Sequence, residues 1–298
     1  MRRLLLIGML VGANLLWGSA WVIAKWTLSG LTPLQVSAWR MIVAGVPVLP
    51  WLWWVMRRER VSPRLWPRLV LLGGVGFVLS KYLNFWGLDL TTATDASLLM
   101  AAEPLLTIAL GVAVLGEVLT IRRVSAFAVG ACGAYMLIAG GWRWPGLSSS
   151  HALGDLIFLL GLAGEAAYSV FGKSLLQRHS ATLVTLATIA GSLVFWVPLA
   201  LHDGWTNGWP PLDAGIVAAM AVLALGCTVL AYWVWFRALE ELEAGFAALT
   251  IFVQPVWGAL LAYLVLGEPL APSTLLGGTL VLTGMYLALG GPNRLQKT

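Results

Sequence analysis

The sequence predicts an all-α integral membrane protein. Ten transmembrane helices are expected, as two inverted five-helix repeats with both termini cytoplasmic. Three observations carry this. The chain of 298 residues is 59% hydrophobic and only 10% charged, against about 25% charged for an ordinary soluble domain. Its apolar runs are long enough to cross a bilayer, which takes roughly 20 residues. Rare residues also recur at a fixed offset of 151 positions.

The spans follow in order. Residues 4–24 carry no charge and form the first. Arg2 and Arg3 ahead of it resemble the start of a signal peptide, but the run is long and lacks a small-residue cleavage site at its end. The second span, 34–56, contains Arg40; the third, 69–88, contains Lys81; the fourth, 96–116, contains Glu103. The fifth, 124–142, is uncharged, and the sixth, 156–172, contains Glu165. The last four, 180–201, 214–236, 244–267 and 269–293, are uncharged. A β-barrel would alternate in polarity over segments of about ten residues. These runs are apolar on every side, so helices are expected.

The net charge of +5 suits lipid rather than nucleic acid because of where the cations fall. Counting from a cytoplasmic N-terminus, 14 of the 18 Lys and Arg residues lie in cytoplasmic segments. That positive-inside bias sets the orientation, with both termini cytoplasmic, and the inner (cell) membrane is the expected location. Of the 17 tryptophans, Trp51, Trp53, Trp54, Trp66, Trp142, Trp144, Trp205 and Trp209 stand at span ends, where indole rings favour the headgroup level. Cys132 and Cys227 fall inside spans as small apolar residues, with no disulfide framework.

The repeat shows in uncommon residues. A shift of 151 maps Glu103-Pro104 onto Gln254-Pro255, Leu115-Gly116-Glu117 onto Leu266-Gly267-Glu268, Gly133 and Tyr135 onto Gly284 and Tyr286, and Trp17 onto Tyr168. The halves are taken as residues 1–145 and 146–298, meeting in the stretch WPGLSSS (144–150). Five spans is an odd number, so the second half enters the bilayer from the opposite side. Inverted repeats of this kind are common in secondary transporters, whose sites lie at the repeat interface near the midplane.

Several blocks carry a family resemblance: NLLWGSAWVIAK (14–25), the Trp-Arg of AWRMIVAG (38–45), AEP through VLGE (102–117), and QP through VLGE (254–268). In order and spacing they resemble the EamA family of the drug/metabolite transporter superfamily, one repeat per half. The resemblance implies ten helices, a central cavity, and export of amino acids or other small metabolites; the bacterial aromatic amino acid exporters look most similar. One departure is the acid Glu165 in LAGEAAYSV (162–170), where an aromatic residue is expected.

Polar groups within the spans are the candidate site. A charge at bilayer depth costs at least about 2.5–3.5 kcal/mol on insertion scales, so it faces the protein interior or a wet cavity. Glu103 shares a helical face with Met100 and Thr107, and Pro104 is expected to loosen the helix and free the carbonyl of residue 100. The carboxyl would meet an amine or a proton. Gln254, its repeat counterpart, can donate and accept but never titrates. Lys81 and Asn84 share a face; the lysine is read as docking a carboxylate or pairing with an acid. Glu165 shares its face with Tyr168. Arg40 is read as snorkelling or packing near the external interface. Glu117 and Glu268, after Leu-Gly, are read as bonding to neighbouring backbone. Asn14 and Trp17 lie on one face of the first span. With Tyr82, Trp86, Tyr168, Tyr232 and Trp257 they would make an amphipathic pocket for an apolar or aromatic side chain.

The reading is a transporter working by alternating access, with a small-molecule substrate, the bilayer as its only other partner, no cofactor or metal, and a monomeric state. A multidrug or sugar-phosphate carrier is the alternative, though a phosphate calls for several basic groups in the cavity. An intramembrane enzyme is disfavoured: the three histidines lie at loops or span ends, and neither HExxH nor GxSxG occurs.

Overall fold

The structure is a computed structural model. It describes residues 2–28, 30–59, 61–90, 102–117, 120–138, 152–210, 213–254, 257, 260–261, 264 and 272–289. The stretch WPGLSSS, Pro255 and Leu266-Gly267-Glu268 lie outside the described residues.

Every regular element among the described residues is helical. Helix α1 is Arg2–Leu28 and α2 is Pro33–Met56. The start of α2 follows from its sequence: Thr32 caps the backbone N–H of Gln35, the Gln35 side chain accepts from the Thr32 N–H, and Pro33 takes the first turn. Helix α3 (66–90) is α-helical at Trp66–Gly73 and Ser80–Leu90, with the π-helix Gly74–Leu79 between. Helix α4 is Glu103–Leu115, α5 is Ile121–Ile138 and α6 is Ala152–Leu175. Helix α7, Ala181–Asn207, is capped by Ser180, whose hydroxyl accepts from Leu183 N–H at 3.2 Å. Helix α8, Ala214–Leu239, is capped by Asp213 and interrupted by the π-helix Val222–Leu230. Helix α9 starts at Ala244–Ala248, tightens into a 3-10 turn at Leu249–Phe252 and is helical again at Val253 and Gln254. Helix α10 is Pro272–Leu289.

Five of these stretches are long and apolar enough to cross a membrane: Pro33–Met56, Pro63–Gly87, Leu156–Leu175, Ala181–Asn207 and Ala214–Leu239. Leu4–Ala20, Leu106–Leu115 and Val124–Gly133 are shorter apolar helices. The outer surface is built for lipid. Large apolar side chains such as Leu4, Val46, Leu71, Leu160 and Val194 are exposed, in numbers a water-soluble surface rarely tolerates. Arg57 and Arg58 lie over the rings of Trp53 and Trp54, 3.5 Å and 3.7 Å from their centroids. That is a cation–π cluster of the kind that suits a polar–apolar boundary.

Packing within the described residues follows a symmetric pattern. Helix α2 packs on α7 and α5 on α10; α1 packs on α8, and α6 packs on α3. A shift of 151 carries Ile121–Ile138 onto 272–289, the bounds of α10, and carries Gly74–Leu79 into the π-helix of α8. The main apolar cluster of the interior contains Leu10, Met41, Val48, Leu69, Phe77, Leu183, Trp196 and Phe236, and smaller clusters flank it. Close approach needs small residues. A Cβ on Gly73 would stand 2.1 Å from the carbonyl oxygen of Thr188, so α3 can lie on α7 only with glycine there.

Candidate functional site

Helices α1, α2, α3, α4, α6, α8 and α9 each contribute side chains to one cavity, with about 860 Å³ of empty space including its mouth. Trp17, Tyr232 and Trp235 form its aromatic wall; Arg40, Lys81, Asn84, Glu103, Glu165 and Gln254 supply its polar groups; Ala20, Ala24, Val36, Phe85, Leu223 and Ile251 fill the apolar remainder, with Ser169 and Cys227.

The aromatic wall is held by edge contacts. Trp17 meets Tyr232 at 5.0 Å and Trp235 at 5.5 Å, centroid to centroid, both T-shaped. Its indole N–H donates to the carbonyl of Cys227 at 2.8 Å, inside the π-helix of α8. In the π-helix of α3, the carbonyl of Phe77 accepts from the indole of Trp196 at 3.0 Å. The wider turns leave carbonyls for side-chain donors, and π-bulges recur at functional sites. Trp235 donates to Ser169 at 3.1 Å.

Two of the four cavity charges are partnered. Lys81 Nζ is 2.8 Å from Glu165 Oε1, and Asn84 donates to the same carboxylate oxygen. Gly161 makes this geometry possible, since a Cβ there would come within 1.9 Å of Asn84 Oδ1. Lys81 Nζ also lies 5.9 Å from the centre of the Tyr232 ring. Glu103 and Arg40 have no such partner among the described residues. Glu103 is the first residue of α4 and 7% exposed. Arg40 is 9% exposed, and its Nε has no hydrogen-bond partner.

Gln254 reaches the cavity through an anchored frame. It donates to Asn14 Oδ1 at 2.9 Å, and Asn14 donates to Thr250 Oγ1 at 2.9 Å and to the carbonyl of Leu10 at 2.8 Å.

The cavity thus gathers Trp17, Lys81, Asn84, Glu103, Glu165, Tyr232 and Gln254 of the residues singled out from sequence. Others stand elsewhere. Asn14 is fully buried behind Gln254. Tyr168 is sealed behind the wall, its hydroxyl 3.0 Å from Thr188 Oγ1 and its ring against Phe77, Tyr232 and Phe236. Trp257 donates to Ser19 Oγ at 2.8 Å and is not on the lining. Tyr82 and Trp86 stack on each other at 6.1 Å, are exposed, and do not line the cavity. Met100 lies outside the described residues.

Arg40 does not snorkel outward: it is buried on the cavity wall. It stands two turns into α2, and Val36, one turn before it, lines the same cavity. The insertion cost that singled out Glu103 applied to Arg40 equally. Trp235 was also overlooked, although it sits three residues from Tyr232 and so on its face. Pro104 falls in the first turn of α4, where its missing N–H leaves no bond unmade; residue 100, whose carbonyl was expected to be freed, lies outside the described residues.

A second polar knot lies apart from the cavity. Gly116 ends α4 in the left-handed region, φ 66°. Glu117 then accepts from the backbone N–H groups of Ala244 and Gly245 at 2.7 Å and 3.0 Å and lies 3.5 Å from Lys173 Nζ. That is a tie between α4, α6 and the start of α9.

Comparison with known proteins gives the fold and the site their context. The model of the EamA-like transporter family matches residues 4–139 and, a second time, residues 152–290. An uncharacterized transporter of Archaeoglobus fulgidus is 27% identical, over 92% of this chain and 93% of its own. An S-adenosylmethionine/S-adenosylhomocysteine transporter of Chlamydia muridarum is 24% identical over 91% of this chain and 87% of its own. A probable amino-acid metabolite efflux pump of Salmonella typhimurium is 25% identical over 92% of this chain and 91% of its own. One crystal structure shares the fold with a TM-score of 0.76 at 17% identity, covering 95% of this chain and 96% of that one.

Proposed function

The chain belongs to the EamA-like transporter family, and from that premise we propose that it exports small amphipathic metabolites, above all amino acids including aromatic ones, by alternating access at the central cavity. The family and the relatives are transporters rather than enzymes. One observation carries the substrate reading: a single cavity joins an aromatic wall (Trp17, Tyr232, Trp235) to buried groups of both signs (Arg40, Lys81, Glu103, Glu165). An amino acid has the same two parts. Trp17, Lys81, Asn84, Glu103, Glu165, Tyr232 and Gln254 are the residues assigned to substrate, with Asn14, Tyr168 and Trp257 positioning them.

The proposed machinery is ten spans in two inverted halves, 1–145 and 146–298, with both termini on the cytoplasmic side of the cell membrane and a monomer as the working unit. Support for the halves comes from the doubled family match, from the coincident helix bounds at the 151-residue shift, and from the mirrored pairing of α1 on α8 with α6 on α3. Rocking of one half against the other would expose the cavity to each side in turn.

The Chlamydia relative favours a second reading, a larger metabolite ending in an amino acid, because S-adenosylmethionine carries the same α-ammonium and α-carboxylate. A sugar phosphate fits less well, since Glu165 already takes Lys81. The test is flux of labelled amino acids in proteoliposomes, with and without a pH gradient. Saturable movement of at least one amino acid is expected, reduced strongly in Glu103→Gln while insertion survives. No saturable flux of any amino acid would refute the proposal.

A further inference from the structure

Arg40 and Glu103 stand out on the cavity wall because both are more than nine-tenths buried and neither has a hydrogen bond or ion pair among the described residues. The other two cavity charges, Lys81 and Glu165, satisfy each other at 2.8 Å. Both lone groups line the same cavity as that pair. A buried charge without a partner is costly. A ligand that neutralises only one of the lone groups leaves that cost at the other. A phosphate would meet one unpaired cation together with an unpaired carboxylate that repels it. A simple amine would leave Arg40 unmet. The ligand that satisfies both is neutral overall and carries one pole of each sign.

We propose that Arg40 and Glu103 form a zwitterion clamp: the guanidinium receives the α-carboxylate of an amino acid and the Glu103 carboxylate receives its α-ammonium, while the aromatic wall of Trp17, Tyr232 and Trp235 takes the side chain. Arginine suits its role because its planar fork matches a carboxylate with two parallel N–H···O bonds. The Lys81–Glu165 pair gives the same wall no net charge, so the choice of charged poles falls to Arg40 and Glu103, with Lys81 and Glu165 lining the site beside them. This assignment rests on the amino-acid reading above and sharpens it to the zwitterionic head.

The test is isothermal titration of the purified full-length protein in detergent with L-phenylalanine, phenethylamine and 3-phenylpropionate, which share the ring and differ only in the poles. Wild type is expected to bind phenylalanine about tenfold or more tighter than either analogue, since a site built to bond a group rejects the ligand lacking it. Arg40→Gln should lose the preference over phenethylamine and keep that over 3-phenylpropionate. Glu103→Gln should do the reverse, and Arg40→Lys should restore part of the carboxylate preference. Wild type that binds all three alike overturns the clamp, as do variants that weaken all three ligands equally while wild type still selects phenylalanine; in either case amino-acid export stands. Wild type that binds none of the three while carrying another class of metabolite in liposomes overturns both the clamp and the amino-acid reading.

Discussion

Removing one member of the Lys81–Glu165 pair should cost more than removing both members suggests. The perturbations are Lys81→Met, Glu165→Leu and the double variant. At 2.8 Å, with an effective dielectric of about 20, the attraction between the two charges is about 6 kcal/mol. The side chains are only 13% and 16% exposed, so desolvation cancels much of it. Losing one partner leaves the other charge buried alone, at a cost of about 3–5 kcal/mol. Lys81→Met leaves Glu165 with Asn84 as its remaining donor; Glu165→Leu strands the Asn84 amide and leaves Lys81 beside the Tyr232 side chain without a counter-charge at that contact. The double variant removes both charges together and should lose about 2–3 kcal/mol less than the sum of the singles. Thermal unfolding of the three variants in one detergent, with stability compared at a common temperature, measures this coupling. Losses that add to within about 0.5 kcal/mol would show that the two side chains do not share an interaction, and the account of a self-satisfied pair would fall.

Further outcomes follow from the same geometry. Gly161→Ala should destabilise by about 1–3 kcal/mol, because its methyl would meet Asn84 Oδ1 at 1.9 Å. Gly12→Ala, in α1 with nothing within 4 Å of the added carbon, should instead stabilise by about 0.5–1 kcal/mol; a thermal-shift comparison of the two checks both signs. Tyr82→Ala and Trp86→Ala should leave amino-acid flux in liposomes within about twofold of wild type, whereas Trp235→Ala, on the cavity wall, should reduce it several-fold; equal losses would place the binding surface elsewhere. Glu117→Ala removes the acceptor of two backbone N–H bonds and the partner of Lys173, and should cost about 3–5 kcal/mol. A yield and melting temperature equal to wild type would show that the tie does not hold α4 to α9.

Much of the architecture was legible in one dimension. Lipid sets a price on each residue separately, so runs without charge mark the stretches that can be buried in a bilayer without any knowledge of their neighbours. A duplication is proposed on the same one-dimensional ground, because Glu-Pro against Gln-Pro and two Leu-Gly-Glu blocks are too uncommon to align by composition alone. The site was only partly readable. Lys81 and Asn84 share one face by their spacing, and that same spacing turns Tyr82 and Trp86 to another, away from the cavity. The insertion cost marks Arg40 with the other three charges, while its position near a span end does not show that it lines the cavity.

Composition, periodicity and repetition by themselves determined the solvent, the helical class and the residues worth watching, because each depends only on local sequence. Partnership was decided by the tertiary structure alone. Lys81 and Glu165 are far apart in the chain, and only the packing of α3 on α6 brings them within 2.8 Å. The two π-helices shift the helical faces beyond them by an amount no regular 3.6-residue count anticipates. Which charge is satisfied and which is left for a ligand depends on that three-dimensional pairing. Arg40 and Glu103 became a pair only when Lys81 and Glu165 were seen to have taken each other.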